Sequence, residues 1–191
     1  MSASKKTGKK NAIVGIGAAL LIAVVFALLV LFLPNVKTDS DESYLYIRDN
    51  AGMQQVMDSL TANHFLSSSL SFTMSAKLFT RPGRYALHNG MNNFQLVRML
   101  RSGRQKPLKL TFNNIRTKTQ LAARLSGIVM ADSLSIINTL NDSAFLAPYG
   151  FSTQTAIANF IPDTYEVFWD LDAKELFETM NEEYRRFWTD E

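Results

Sequence analysis

Hydrophobic and polar positions alternate between three regimes along this chain. Residues 12–33 form an unbroken apolar run with no charge, dominated by Leu, Val, Ile, Ala and Phe. As a helix those 22 residues extend about 33 Å, enough for a hydrocarbon core of roughly 30 Å. A buried soluble helix is seldom apolar on every face for six turns. A secretory signal would have a shorter apolar stretch followed by small residues at a cleavage site. Here Leu31-Phe32-Leu33-Pro34-Asn35 follows instead, so the run predicts an uncleaved membrane anchor. Beyond it, residues 35–43, with Asp39, Asp41 and Glu42, read as a short solvated spacer.

The second regime is a repeat. Three stretches align without gaps: Ile47 to Leu60, Leu87 to Leu100 and Phe112 to Leu125. Each begins with a β-prone run (44–47, 84–87, 108–112), passes a polar turn and enters an amphipathic helix. Gly52, Asn92 and Thr117 occupy N-cap positions, and Gln55, Gln95 and Gln120 follow three residues later, as in a capping box. The glutamines are therefore read as helix caps and not as ligand contacts. A second helix is predicted over 69–78, which gives strand–helix–helix–strand, the layout of a LysM-type glycan-binding module. Small α/β units follow from this pattern, not one large parallel sheet.

The third regime is helical. Helices are predicted at 117–129, 132–140 and 173–188. In the last, Asp172 and Glu175 pair as a cap, while Leu176, Phe177, Met180, Tyr184, Phe187 and Trp188 share one face. Such an aromatic stripe needs a covering surface, and little chain follows it, so the domain is expected to continue beyond Glu191. Ahead of it, Pro162 interrupts helix in Phe160-Ile161-Pro162-Asp163-Thr164-Tyr165-Glu166-Val167; Asp163 and Thr164 suit a turn, and a strand-like run follows.

Charge changes the picture in two ways. The net charge of +3 comes from the tail: Lys5, Lys6, Lys9 and Lys10 precede the apolar run, and the remaining residues carry 16 basic against 17 acidic groups. Four lysines with no acid place the N-terminus in the cytoplasm by the positive-inside rule and the rest outside it. That topology removes nucleic acid as a partner, although the whole-chain balance is basic. Beyond the anchor the charge is segregated. Eleven basic and no acidic residues lie between Ser59 and Ala131, and twelve acids against three basic residues lie from Asp132 onward. Mutual neutralisation by packing is the plainer expectation; a basic surface facing anionic wall or lipid is the other. With no Cys and two His, neither a disulfide framework nor a metal centre is expected, and no cofactor is implied.

These pieces together resemble the YceG-like endolytic murein transglycosylases. The resemblance rests on the basic tail and single anchor, on Arg81-Pro82-Gly83-Arg84-Tyr85-Ala86-Leu87 as the family's A-G-x-Y-x-L element, and on the helix from Met91 to Gly103. It continues through Leu110 to Ala122 as strand and Gln-helix, Pro162-Asp163-Thr164-Tyr165 as the P-D-T-Y signature, and Phe187-Trp188 in the closing helix. The chain departs from the pattern at Asn114 and Ile115, where Glu and Gly are usual, and at Ile157, Ala158 and Asn159, where Glu-Gly-Tyr is usual.

The resemblance implies an α+β protein with five parts. They are a cytoplasmic tail (1–11), a membrane anchor (12–34), a linker (35–43), a LysM-like subdomain (44–107) and the N-terminal part of a mixed α/β catalytic domain (108–191). It also implies residence in the bacterial inner membrane with a periplasmic C-terminal part. The expected reaction is cleavage of the β-1,4 bond between N-acetylmuramic acid and N-acetylglucosamine. One glutamic acid protonates the leaving oxygen and then assists the muramyl 6-hydroxyl in closing a 1,6-anhydro ring, so no water is consumed. That glutamate is expected in a segment beyond Glu191, so no residue here inherits the catalytic role. Asp163, Thr164, Tyr165 and Glu166 are the candidates for contacting glycan, and peptidoglycan strands, with peptidoglycan synthases, are the implied partners. The alternative is a membrane-anchored glycan-binding or scaffold module without chemistry. In that case sugar stacking would fall to Tyr44, Tyr46, Tyr85 and Phe94.

Overall fold

The computed structural model describes residues 4–40, 43–49, 51–75, 81–113 and 115–189. Its first element is a helix, α1 (Ser4–Phe32), so the helical backbone continues back through the basic tail. Within it, Val14–Phe32 is long and apolar enough to cross a membrane, with a mean hydropathy of 3.0 and none of its residues buried. Leu20, Leu21 and Ile22 are each more than 60% exposed, an apolar surface far larger than soluble proteins leave to water.

The remaining elements are β1 (Ser43–Ile47), α2 (Met53–Ala62), α3 (Ser69–Ser75), β2 (Gly83–Leu87), α4 (Asn93–Ser102) and β3 (Leu108–Phe112). They are followed by α5 (Lys118–Ser126), α6 (Ser133–Asn141), α7 (Ser143–Leu146), β4 (Asp163–Val167) and α8 (Ala173–Thr189). Two short 3-10 turns, Ala147–Tyr149 and Ala156–Asn159, precede β4. Mixed helix and strand in small units is what the repeat predicts: β1 pairs with β2, and β3 pairs with β4, in two separate two-stranded sheets. The predicted helix over 69–78 is present from Ser69 to Ser75; residues 76–80 lie outside the described residues.

The chain divides into two compact units. One comprises 1–45, 52–80 and 87–102, the other 46–51, 81–86 and 103–191. This interleaved division runs through β1 and β2.

In the first unit Val36, Leu45, Val56, Leu60, Phe72, Leu87, Leu96 and Leu100 form the buried apolar set. The predicted cap of α4 is a full capping box. The Gln95 N–H donates to Asn92 Oδ1 at 2.9 Å, and the Asn92 N–H donates to Gln95 Oε1 at 3.1 Å. The segment expected to be a solvated spacer begins differently. Asn35 and Val36 are 4% and 1% exposed, Pro34 and Val36 bridge to Asn92 and Leu66, and the Lys37 N–H donates to the Phe65 carbonyl at 2.9 Å. The physical reason is a buried amide pair. Asn35 Nδ2 donates to Asn93 Oδ1 (2.8 Å) and to the Ser68 carbonyl (3.0 Å), while its Oδ1 accepts the Ser68 N–H (2.7 Å). Asn93, fully buried, donates to the Val30 carbonyl in the last turns of α1 (2.7 Å) and to Ser71 Oγ (3.1 Å). One of the carbonyls that a helix end leaves without an internal partner is thereby satisfied.

In the second unit the core gathers Leu110, Phe112, Leu121, Leu125, Ile136, Leu140, Leu146, Phe160, Val167, Leu176, Phe177 and Met180. Thr117 caps α5 as predicted, its side chain accepting the Gln120 N–H at 3.1 Å; Gln120 Oε1 reaches back to the Arg116 N–H and not to the cap's own. The helix stops at Ser126, short of the predicted 129, because Gly127 ends it and the chain turns to bury Val129 and Ala131. Asp132 is the cap of α6 and not part of it; it accepts the Ser135 N–H at 2.9 Å, and this bond holds its carboxyl below the ordinary range. The Asp172–Glu175 pair forms the predicted box on α8, at 2.9 and 3.0 Å. Only the N-terminal half of the α8 stripe is buried, since Phe187 and Trp188 are 47% and 59% exposed.

Gly83 shows why its motif needs glycine. Its φ is +138°, and a Cβ there would collide with the side chain of Gln105. Gln105 is held in place, donating to Asp170 Oδ2 at 2.7 Å.

Candidate functional site

The P-D-T-Y segment opens β4, which pairs antiparallel with β3 in the register Leu108–Val167, Lys109–Glu166, Leu110–Tyr165, Thr111–Thr164 and Phe112–Asp163. Successive side chains in a strand point to opposite faces, and the ribbon separates cleanly. Leu110, Phe112 and Val167 are buried, whereas Lys109, Thr111, Thr164 and Glu166 are exposed. The Thr111 and Thr164 hydroxyls lie 2.8 Å apart across the ribbon. Arg124 on α5 donates to the Thr111 carbonyl at 3.3 Å, which puts a guanidinium at the ribbon's edge.

The four residues singled out from the sequence are therefore not one cluster. Thr164 and Glu166 share the outer face, where Lys109 and Thr111 join them. Asp163 is exposed at the strand entry, its Oδ1 accepting the Thr164 N–H. Tyr165 is on the inner face, stacked on Phe112 with centroids 5.4 Å apart, and its hydroxyl donates to the Ile161 carbonyl at 2.6 Å. Burial, then the negative charges of Asp163 and Glu183, raises its phenol above the ordinary value.

Tyr85 is built the same way. Its hydroxyl donates to the Arg81 carbonyl at 2.8 Å and to that of Pro82 at 3.1 Å. Burial, reinforced by Asp170 and opposed by Arg81, pushes its pKa up to about 12. Arg81-Pro-Gly-Arg-Tyr85 and Ile161-Pro-Asp-Thr-Tyr165 are thus one device used twice. In each, proline turns the chain into a strand, and a tyrosine four residues after the pre-proline position locks that residue's carbonyl. The shared X-Pro-x-x-Tyr spacing is the signal by which Tyr165 could have been assigned to the inner face. The alternation of Leu108-Lys-Leu-Thr-Phe112 likewise marks Lys109 and Thr111 as outward.

Of the aromatics available for sugar stacking, Tyr85 is fully buried and Phe94 lies against Phe32. Tyr46 is 46% exposed and meets Trp169 edge-on at 5.1 Å. The described glutamates are Glu166, Glu175, Glu178, Glu182 and Glu183. Glu178 accepts the Tyr149 hydroxyl at 2.6 Å, and Glu183 pairs with Arg186 at 2.9 Å. All but the partly exposed Glu183 face solvent, so none occupies the buried, apolar setting that a general acid working near neutral pH requires. Among the described residues no three His, Asp or Glu side chains converge as a metal site would need. Basic side chains of the middle segment reach backbone oxygens: Lys118 Nζ donates to the Leu140 carbonyl (2.7 Å), and Arg84 to that of Pro107 (3.0 Å).

The fold and this ribbon define an α+β protein with a membrane-length apolar helix ahead of small two-stranded units. The YceG-like family pattern matches residues 45–191, and the chain belongs to that family. A yceG-like protein of Listeria monocytogenes is similar in structure, with 18% identity over 78% of this chain and a TM-score of 0.36. The match spans 59% of the length of the Listeria protein. No curated protein matches the chain.

Proposed function

We propose that this protein acts on bacterial peptidoglycan as an endolytic lytic transglycosylase, held to the inner membrane by α1 with its lysine-rich end in the cytoplasm and its two units in the periplasm. The observation that carries the reading is the family match across residues 45–191. The order β1–α2–α3–β2, with β1 paired to β2, supports a LysM-like subdomain over 44–107, and 108–191 is read as catalytic-domain sequence. The proposed chemistry breaks the muramyl C1–O bond. A carboxylic acid gives its proton to the departing N-acetylglucosamine oxygen, and the muramyl 6-hydroxyl attacks C1 as the resulting carboxylate accepts that hydroxyl's proton. The exposed described glutamates are not assigned that role.

The part we assign to the described residues is binding. Thr111, Thr164, Lys109 and Glu166 offer hydroxyl, ammonium and carboxylate groups on one outer face, a composition suited to the hydroxyls and amides of a glycan strand. The exposed Tyr46 beside Trp169 gives a stacking surface. Replacing Thr111 and Thr164 together by valine keeps the ribbon's shape and removes both hydroxyls. Binding of the purified full chain to isolated sacculi, followed by co-sedimentation, is expected to weaken on the order of ten-fold, as two lost hydrogen bonds would give. Unchanged binding, with the fold intact by circular dichroism, would move the glycan surface away from the ribbon.

A further inference from the structure

Where α1 ends, its last turn and one face of α4 enclose an open groove of about 470 Å³, lined by Leu31, Phe94, Val97, Arg98, Arg101 and Ser102. Phe94, Val97, Arg98 and Arg101 stand at i, i+3, i+4 and i+7, so they form a single stripe on the helix. That stripe is graded. Phe94, 44% exposed, lies against Phe32 with centroids 5.5 Å apart, and the two arginines follow toward the C-terminal end of α4. The α4 sequence holds no acid, and among the described residues neither arginine is ion-paired. The bond from Asn93 to the Val30 carbonyl fixes α4 against the end of α1, so the groove keeps its position relative to the apolar helix.

We propose that this groove binds the phosphate headgroup of an anionic phospholipid, with Arg98 and Arg101 on the phosphate and Leu31, Phe94 and Val97 against the first carbons of an acyl chain. The inference rests on the reading of α1 as membrane-spanning. The 19 residues from Val14 to Phe32 extend about 28 Å, close to the hydrocarbon thickness of roughly 30 Å. Leu31 and Phe32 then lie at the depth where acyl chains give way to phosphates. Guanidinium groups at that depth attract anionic lipid. The groove has no carboxylate to receive a choline or ethanolamine ammonium, which favours a headgroup with net negative charge. A small soluble anion would leave the apolar half of the groove bare.

The test is native mass spectrometry of the full chain in detergent micelles, titrated with phosphatidylglycerol and with phosphatidylcholine. Phosphatidylglycerol is expected to be retained in preference. The Arg98→Gln/Arg101→Gln variant should lose about five-fold in that retention per arginine, while Arg116→Gln/Arg185→Gln, with the same charge change, behaves as the parent. Phe94→Ala should weaken phosphatidylglycerol as well, because the acyl contact is lost. Retention unaffected by the double arginine change would overturn the proposal. So would glycerol 1-phosphate binding as tightly as the lipid, which would make this a site for a soluble anion. Alkaline carbonate extraction of native membranes tests the underlying reading separately: release of the chain would mean that α1 does not span, whatever the lipid preference in micelles.

Discussion

Phe177→Ala is expected to lower the stability of the second unit by about 3–5 kcal/mol, the range for removing a fully buried phenyl ring. Phe177 is 1% exposed and is the hub of an aromatic cluster. Its ring lies 5.5 Å from Phe145, 5.4 Å from Tyr149, 5.9 Å from Phe151 and 6.1 Å from Phe160, all edge-on. Those four neighbours come from α7, the first 3-10 turn, the loop after it and the residue that follows the second turn, segments too short to persist without a common packing partner. The cavity left by alanine borders all of them, and none has a longer element through which to collapse inward. Urea unfolding of the full chain in mild detergent, followed through Trp169 and Trp188, checks this. A loss under about 1 kcal/mol would mean that the cluster repacks, and that Phe177 is not its organising residue.

In the first unit a large effect is expected from a polar side chain. Asn93→Ala removes the acceptor of one Asn35 amide hydrogen and the donor that satisfies the Val30 carbonyl. The Asn35 amide is buried and the Val30 carbonyl part-buried, and leaving each unpaired costs about 1–1.5 kcal/mol, the lower part of the usual range. A total of about 2–3 kcal/mol corresponds to local opening roughly 30- to 150-fold more frequent. Hydrogen exchange followed by mass spectrometry should therefore show faster exchange in 33–37 and 93–102 by that factor. Exchange rates equal to those of the parent would mean that water takes the place of the amide and that the pair does not hold the end of α1.

Much of this architecture is legible in the sequence because local rules set it. The strand at 108–112 and the cap at Asn92 follow from alternation and from a side-chain oxygen placed three residues before a glutamine. The entry of α8 at Asp172–Glu175 follows the same rule. What local rules cannot show is which strand pairs with which. The X-Pro-x-x-Tyr spacing marks Tyr165 as the clamp on Ile161, but only the β3–β4 register sets Thr164 and Glu166 on one outer face with Lys109 and Thr111. The same limit explains Asn35. Beside Asp39 and a run of polar residues it looks solvated, and only the fold brings Asn93, 58 positions away, to complete its hydrogen bonds. The buried pair Asn159 and Asn181, joined at 2.9 Å and tied to the Phe177 carbonyl, is hidden in the same way. Asn159 falls where the family pattern has a tyrosine, so the motif gives no hint of it.

The most direct test of the account as a whole is the chemistry of the ends made when native membranes carrying this protein are incubated with purified sacculi. Soluble muropeptides would be analysed by mass spectrometry and compared with those from membranes lacking the protein. The lytic reading predicts new 1,6-anhydromuramyl ends, each lighter by one water than the corresponding reducing end, generated within strands and not only at their termini. Reducing ends in their place would identify a hydrolase, with water as the acceptor. No new ends at all, with sacculus binding retained, would contradict the enzymatic claim and leave a membrane-anchored glycan-binding module.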